Sequence, residues 1–201
     1  MIILGIDPGI AIVGWGVISY EGGSFKTLGY GAIRTDSGMA VEDRLASIYR
    51  ELSQIIEKYR PVCMSVEELF WNTNQKTGIV VAEARGVIIC LARMMGLKIF
   101  EYTPLQVKQA VTGYGRADKK QMEMMVTTLL NLAETPKPDD TADALAIAVC
   151  HAHSGASGLG AYYNKTVTAG KGVTRRITDP RILNGTNIVI PAKKKTNVKK
   201  D

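Results

Sequence analysis

An α/β fold with a mixed five-stranded sheet flanked by helices is the class this sequence predicts. Three observations carry the prediction. The first 34 residues hold three β-type runs separated by Gly-containing breaks. Near residue 41 the apolar pattern switches to helical spacing. Two further short apolar runs then follow, each succeeded by helical segments. A three-strand meander followed by βα units implies a mixed sheet covered by helices.

Residues 2–6, 12–20 and 29–34 are rich in Ile, Val and Tyr and read as strands. "EGG" at 21–23 is a hairpin turn signal. The first strand is short and wholly apolar and is expected at the centre of the sheet. From 41 to 59, Val41, Leu45, Ile48, Leu52, Ile55, Ile56 and Tyr59 recur at helical spacing. Pro61 ends that helix. "VCMSVEEL" at 62–69 reads as a fourth strand running into Glu67 and Glu68. The Ala-rich stretch 76–95 reads as a buried helix stopped by Gly96, and "KIFEY" at 98–102 as a fifth strand. Helices are then expected over about 104–111, 118–132 and 139–152.

After His153 the composition becomes Gly/Ser/Thr-rich and aperiodic, ending in "PAKKKTNVKKD". The organisation read from this is one domain over 1–155 and a basic, flexible tail over 156–201. The formal charge of +6 divides accordingly: residues 1–150 carry −2 and residues 151–201 carry +8. A basic tail suits a polyanionic partner such as nucleic acid, and equally a solubilising end. No apolar run is long enough to span a membrane, and the N-terminus does not read as a secretory signal. Cys63, Cys90 and Cys150 each lie in an apolar run and read as buried free thiols.

The chemistry is expected where acids meet element ends. Asp7 ends strand 1 and Glu67 ends strand 4. Asp140 and Asp143 lie in the first turns of the last helix, on one face. If strands 1 and 4 are parallel neighbours, their carboxyl ends lie side by side and the helix start closes a third side. Singly, each acid has an ordinary explanation. Asp7 can form a turn before Pro8-Gly9, and Asp139 and Asp140 suit a helix start. Together they make a set of oxygen ligands suited to Mg²⁺ or Mn²⁺. Two such ions can serve phosphodiester hydrolysis. Phe70 and Trp71 follow in a polar loop, where an exposed aromatic could stack on a base. His151 and His153 lack a third ligand in sequence and read as structural or exposed.

"ILGIDPG", "GWGVI", "VEELF", "VKQAVTGYGRADKKQM" and "PDDTADALAIA", in this order and spacing, closely resemble the RuvC family of Holliday-junction resolvases. The resemblance runs from about residue 1 to 153. It implies a ribonuclease-H-like fold and a homodimer in the bacterial cytoplasm that works with the RuvA–RuvB branch-migration complex. The implied activity is Mg²⁺-dependent resolution of four-way junction DNA by paired symmetric nicks, leaving 5′-phosphates, in recombination and repair. One or two Mg²⁺ per subunit are implied, with Mn²⁺ able to substitute. The family's acids carry over to Asp7, Glu67, Asp140 and Asp143, as catalytic and metal-holding residues. Glu68 and Asp139 fall off the motif. Lys108 and Lys119 match lysines that approach DNA, though as single residues they could equally be solvated. Phe70 matches an aromatic at the junction centre, and Arg85 a position facing DNA or the other subunit. The long tail departs from the family, whose core ends soon after the last helix. Two other readings stand beside this one. A binding-only module for branched DNA would have lost an acid, and none is lost. An actin-like phosphate-binding ATPase or kinase would need a second, repeated domain.

Overall fold

The computed structural model describes residues 1–68 and 75–156. The element order is β1 (Ile2–Asp7), β2 (Ile12–Glu21), β3 (Ser24–Arg34), α1 (Val41–Tyr59), β4 (Cys63–Glu67), α2 (Gln75–Met94), β5 (Lys98–Tyr102), α3 (Pro104–Thr112), α4 (Lys119–Leu129) and α5 (Asp139–Ala156). The expected order is found. The largest difference is β3, which begins at Ser24 rather than near 29. Its first residues pair with β2 along one sheet edge, where the exposed polar side chains of Ser24 and Lys26 hide the strand pattern.

The sheet order is β3-β2-β1-β4-β5. β1 lies at the centre, antiparallel to β2 and parallel to β4, and β4 runs parallel to β5. Gly22 and Gly23 take positive φ and turn the β2–β3 hairpin, as "EGG" predicts.

The core has two layers. Ile3, Ile18, Cys63 and Tyr102 pack with α3, α4 and α5 on one side of the sheet. Leu4, Ile6, Val13, Val17, Met64 and Val66 pack with α1 and α2 on the other. Helix ends are set locally. Thr103 with Gln106 caps α3, and Asp118 with Gln121 caps α4, each in a reciprocal capping box. Gly113 closes α3 in the left-handed conformation.

Candidate active site

Alternation along the strands decides where the strand-end acids point. In β1, Ile3 belongs to the α5-side core, while Leu4 and Ile6 belong to the opposite core. Gly5 and Asp7 therefore share the α5 face. β4 repeats this: Cys63 faces α5, Met64 and Val66 face away, and Glu67 returns to the α5 face. The strands are parallel, with Ile6 opposite Val66. Asp7 and Glu67 thus leave the sheet side by side.

Glycines bring α5 down onto this end of the sheet. A Cβ on Gly14 would run into the Asp140 carbonyl and stand 3.0 Å from Asp140 Cβ. Gly14 is the β2 partner of Asp7. A Cβ on Gly5 would run into the Ala144 carbonyl and stand 2.9 Å from Ala148 Cβ. One on Gly16 would stand 2.6 Å from Leu145 Cδ2. The missing side chains let the first turn of α5 lie directly over the strand ends, so Asp140 and Asp143 join Asp7 and Glu67.

The consequence is electrostatic. Burial, then the charges of Glu67, Asp143 and Asp140, pushes the Asp7 carboxyl from 3.8 up to about 8, against a partial offset from Lys119. Burial, then Asp143, also raises Glu67. Burial raises Asp143, while Lys119 pulls it down. A group of carboxyls that suppress one another's ionisation calls for a cation.

The donor set is all oxygen and fits a hard divalent ion. As they stand, no three His, Cys, Asp or Glu side chains among the described residues are placed to hold an ion together. The acids feel one another's charge without converging on one point. The Lys119 ammonium lies 2.7 Å from Asp139 and 3.9 Å from Asp143.

A cleft of ≈ 210 Å³ opens here, lined by Glu67, Asp143, Lys108 and Lys119, with Met122 and Ile147 as apolar wall. The structure thus brings Lys108, Lys119, Glu67 and Asp143 to one cleft, with Asp7 and Asp140 coupled to it through charge. Phe70 lies outside the described residues.

Sequence reasoning set Asp139 aside, yet it is the closer carboxylate partner of Lys119. The available signal was its i, i+4 spacing to Asp143, which puts both on one helix face. Arg85, expected to face DNA or a partner, turns inward. Its Nη2 donates to Glu101 Oε1 at 2.6 Å and its Nε to the Glu67 carbonyl at 3.4 Å. It ties α2 to the ends of β4 and β5. The histidines are structural. His151 is buried, stacks on Phe100 and shares a 2.7 Å hydrogen bond with the Tyr102 hydroxyl, and burial lowers it to about 4. His153 Nδ1 lies 2.9 Å from the Ala110 carbonyl oxygen, to which it donates. Cys63 and Cys150 are buried as expected, but Cys90 is exposed. It lies on the side of α2 that turns away from the sheet, where an apolar run gives no warning of solvent.

The sheet order and the acid-bearing strand ends define the class: a ribonuclease-H-like α/β protein with an acidic cleft. The particular family follows from comparison. Residues 3–151 match the family model described as crossover junction endodeoxyribonuclease RuvC. The chain is similar to the crossover junction endodeoxyribonuclease RuvC of Alkaliphilus oremlandii, 63% identical over 155 residues, or 77% of this chain and 94% of the relative. Its counterpart in Alkaliphilus metalliredigens is 60% identical over the same shares. Among solved structures, Thermus thermophilus RuvC aligns with a TM-score of 0.73 at 34% identity, covering 79% of this chain and 97% of that one. The same protein in complex with a Holliday junction substrate aligns with a TM-score of 0.73 at 32% identity. The chain belongs to the RuvC family.

Proposed function

We propose that this protein is a Mg²⁺-dependent, structure-selective endonuclease that resolves four-way DNA junctions by paired nicks. The observation that carries it is the gathering of Asp7, Glu67, Asp140 and Asp143 at one end of the sheet, where burial and then the other three acids push the Asp7 carboxyl upward. These four residues would hold the Mg²⁺. When bound, the metal supplies charge neutralisation and Lewis-acid activation for in-line attack of water on phosphorus.

The chain's own residues do the rest. β1 and β4 hold Asp7 and Glu67 on a rigid frame, and α5 holds Asp140 and Asp143 against it. Lys108 and Lys119 on the cleft rim hold phosphates and offset the charge that develops during hydrolysis. With the 3′ oxygen leaving, the products carry 5′-phosphates. Phe70 is assigned to the unpaired bases at the junction centre.

A two-fold homodimer matches the symmetry of a four-way junction and gives two cuts. An apolar groove between α1 and α2 lined by Leu45, Val87 and the exposed Tyr49, with Ile79 and Met94 also exposed on α2, supports these helices as its interface. Residues 156–201, with a net charge of +8 over 151–201, add a sequence-independent hold on DNA. The setting is the bacterial cytoplasm, with the RuvA–RuvB complex as partner.

The test is binding and cleavage of a synthetic four-way junction with and without Mg²⁺. Wild type is expected to bind in both and cut only with the metal. Asp7→Asn is expected to bind and not cut. Cutting by Asp7→Asn at the wild-type rate would refute the site. Binding without any cutting by wild type would favour a binding module.

A further inference from the structure

We infer that the α3–α4 turn, with Tyr114 as its tip, is a second DNA-contact surface that packs on the sugar–phosphate backbone of a junction arm beside the cut. The inference rests on the proposed function and adds a contact outside the acidic cleft.

Charge points to this surface first. Residues 104–122 contain Lys108, Arg116, Lys119 and Lys120 against one acid, Asp118, whereas residues 1–150 as a whole carry −2. Asp118 keeps its charge while its Oδ1 accepts from the Gln121 amide at 2.9 Å as the cap of α4, and Lys119 pairs with Asp139 at 2.7 Å, so Lys108, Arg116 and Lys120 supply the strip's positive excess. The turn is therefore a positive strip set beside a carboxylate-rich cleft.

Position and rigidity come next. Pro104, Lys108 and Lys119 line the cleft from α3 and α4. The turn folds back along α3, because a Cβ on Gly115 would stand 2.6 Å from Leu105 Cδ1. The turn is pinned rather than loose. The Thr112 hydroxyl accepts from the Tyr114 amide at 3.1 Å and can donate to the Lys108 carbonyl at 2.8 Å or the Tyr114 carbonyl at 2.9 Å. The Ala117 amide donates to the Tyr114 carbonyl at 3.2 Å.

On this fixed frame, Tyr114 is 58% exposed and Leu105 is 59% exposed. Tyr114, held in solvent by a built turn, and Leu105, exposed in the first turn of α3 against Gly115, are unexplained by the core. An aromatic ring beside cations suits the apolar face of deoxyribose, with phosphates on the flanking Arg and Lys.

The test is fluorescence anisotropy with a labelled four-way junction in EDTA, over several salt concentrations. Tyr114→Ala should bind about 5- to 10-fold more weakly with an unchanged salt slope. Tyr114→Phe should restore wild-type affinity. Arg116→Gln should weaken binding and flatten the slope by about one. In a separate variant, Tyr114→Trp, saturating junction should shield the added tryptophan from iodide relative to wild type. Wild-type affinity in Tyr114→Ala, or an iodide response unaltered by DNA, overturns the assignment. Wild type that fails to prefer the junction over linear duplex is a separate result, and it would sink the proposed function instead.

Discussion

Replacing Asp7 by asparagine should stabilise the metal-free protein, increasingly so as pH rises. Burial and three neighbouring acids hold the Asp7 carboxyl at about 8, against 3.8 for an unperturbed side chain. Between those values the native state keeps a proton that the unfolded chain has released. Stability falls with rising pH wherever the native state binds more protons, here by up to about 1.4 kcal/mol per pH unit. From pH 5 to pH 8 the ceiling is about 4 kcal/mol. Below about pH 3 both states are protonated and the contribution is level. Asparagine has nothing to titrate, so the variant lacks this slope. Urea unfolding in EDTA at pH 5 and pH 8 measures it. The stability gap in favour of Asp7→Asn should widen by about 2–4 kcal/mol between the two pH values. Mg²⁺ at pH 8 should then raise the stability of wild type and leave the variant nearly unmoved. Parallel pH profiles for the two proteins would refute the electrostatic reading of the site.

Gly14→Ala should push α5 away from the sheet at Asp140, costing about 1–3 kcal/mol in urea unfolding and reducing junction cutting more than junction binding. Asp139→Asn should release Lys119 toward phosphate. Junction binding in EDTA should then tighten at low salt, with a salt slope steeper by up to about one, and the effect should vanish in a Lys119→Gln background. Arg85→Gln should cost about 1 kcal/mol in thermal unfolding, a small value because its partner Glu101 is 45% exposed.

Local rules made most of the fold legible. Period two, period 3.6 and Gly/Pro punctuation fixed the identity of each element, and the capping boxes at Thr103 and Asp118 are written in adjacent residues. The four acids were legible because each sits at an element end, where a carboxylate is either a cap or a ligand. What stayed hidden depends on contacts distant in sequence. The Lys119–Asp139 pair joins α4 to α5, and the Arg85 ties join α2 to β4 and β5. No spacing rule links the two ends of either contact, although the i, i+4 spacing of Asp139 and Asp143 does place those two acids on one face. Cys90 was misread for a related reason: an apolar run shows that a helix has an apolar face without showing what covers it.

The central strand explains why the costly cluster forms at this point. β1 is antiparallel to β2 and parallel to β4, so the carboxyl end of β1 meets the start of β2 on one side and the carboxyl end of β4 on the other. Glycine at 14 leaves that start bare, and α5 fills the space with its own first turn. An acid at position 5 would be sealed beneath helix backbone, since a Cβ there would run into the Ala144 carbonyl, and one at position 3 would lie in the apolar core. At position 7 the strand has just emerged from that cover, buried enough to suppress ionisation and open enough to admit a cation. The same geometry sets the cleft beside α3 and α4, whose Lys108 and Lys119 are the basic side chains lining it among the described residues. Acid cluster and lysine-lined cleft are thus two outcomes of one packing decision: the close seating of α5 on a glycine-lined sheet.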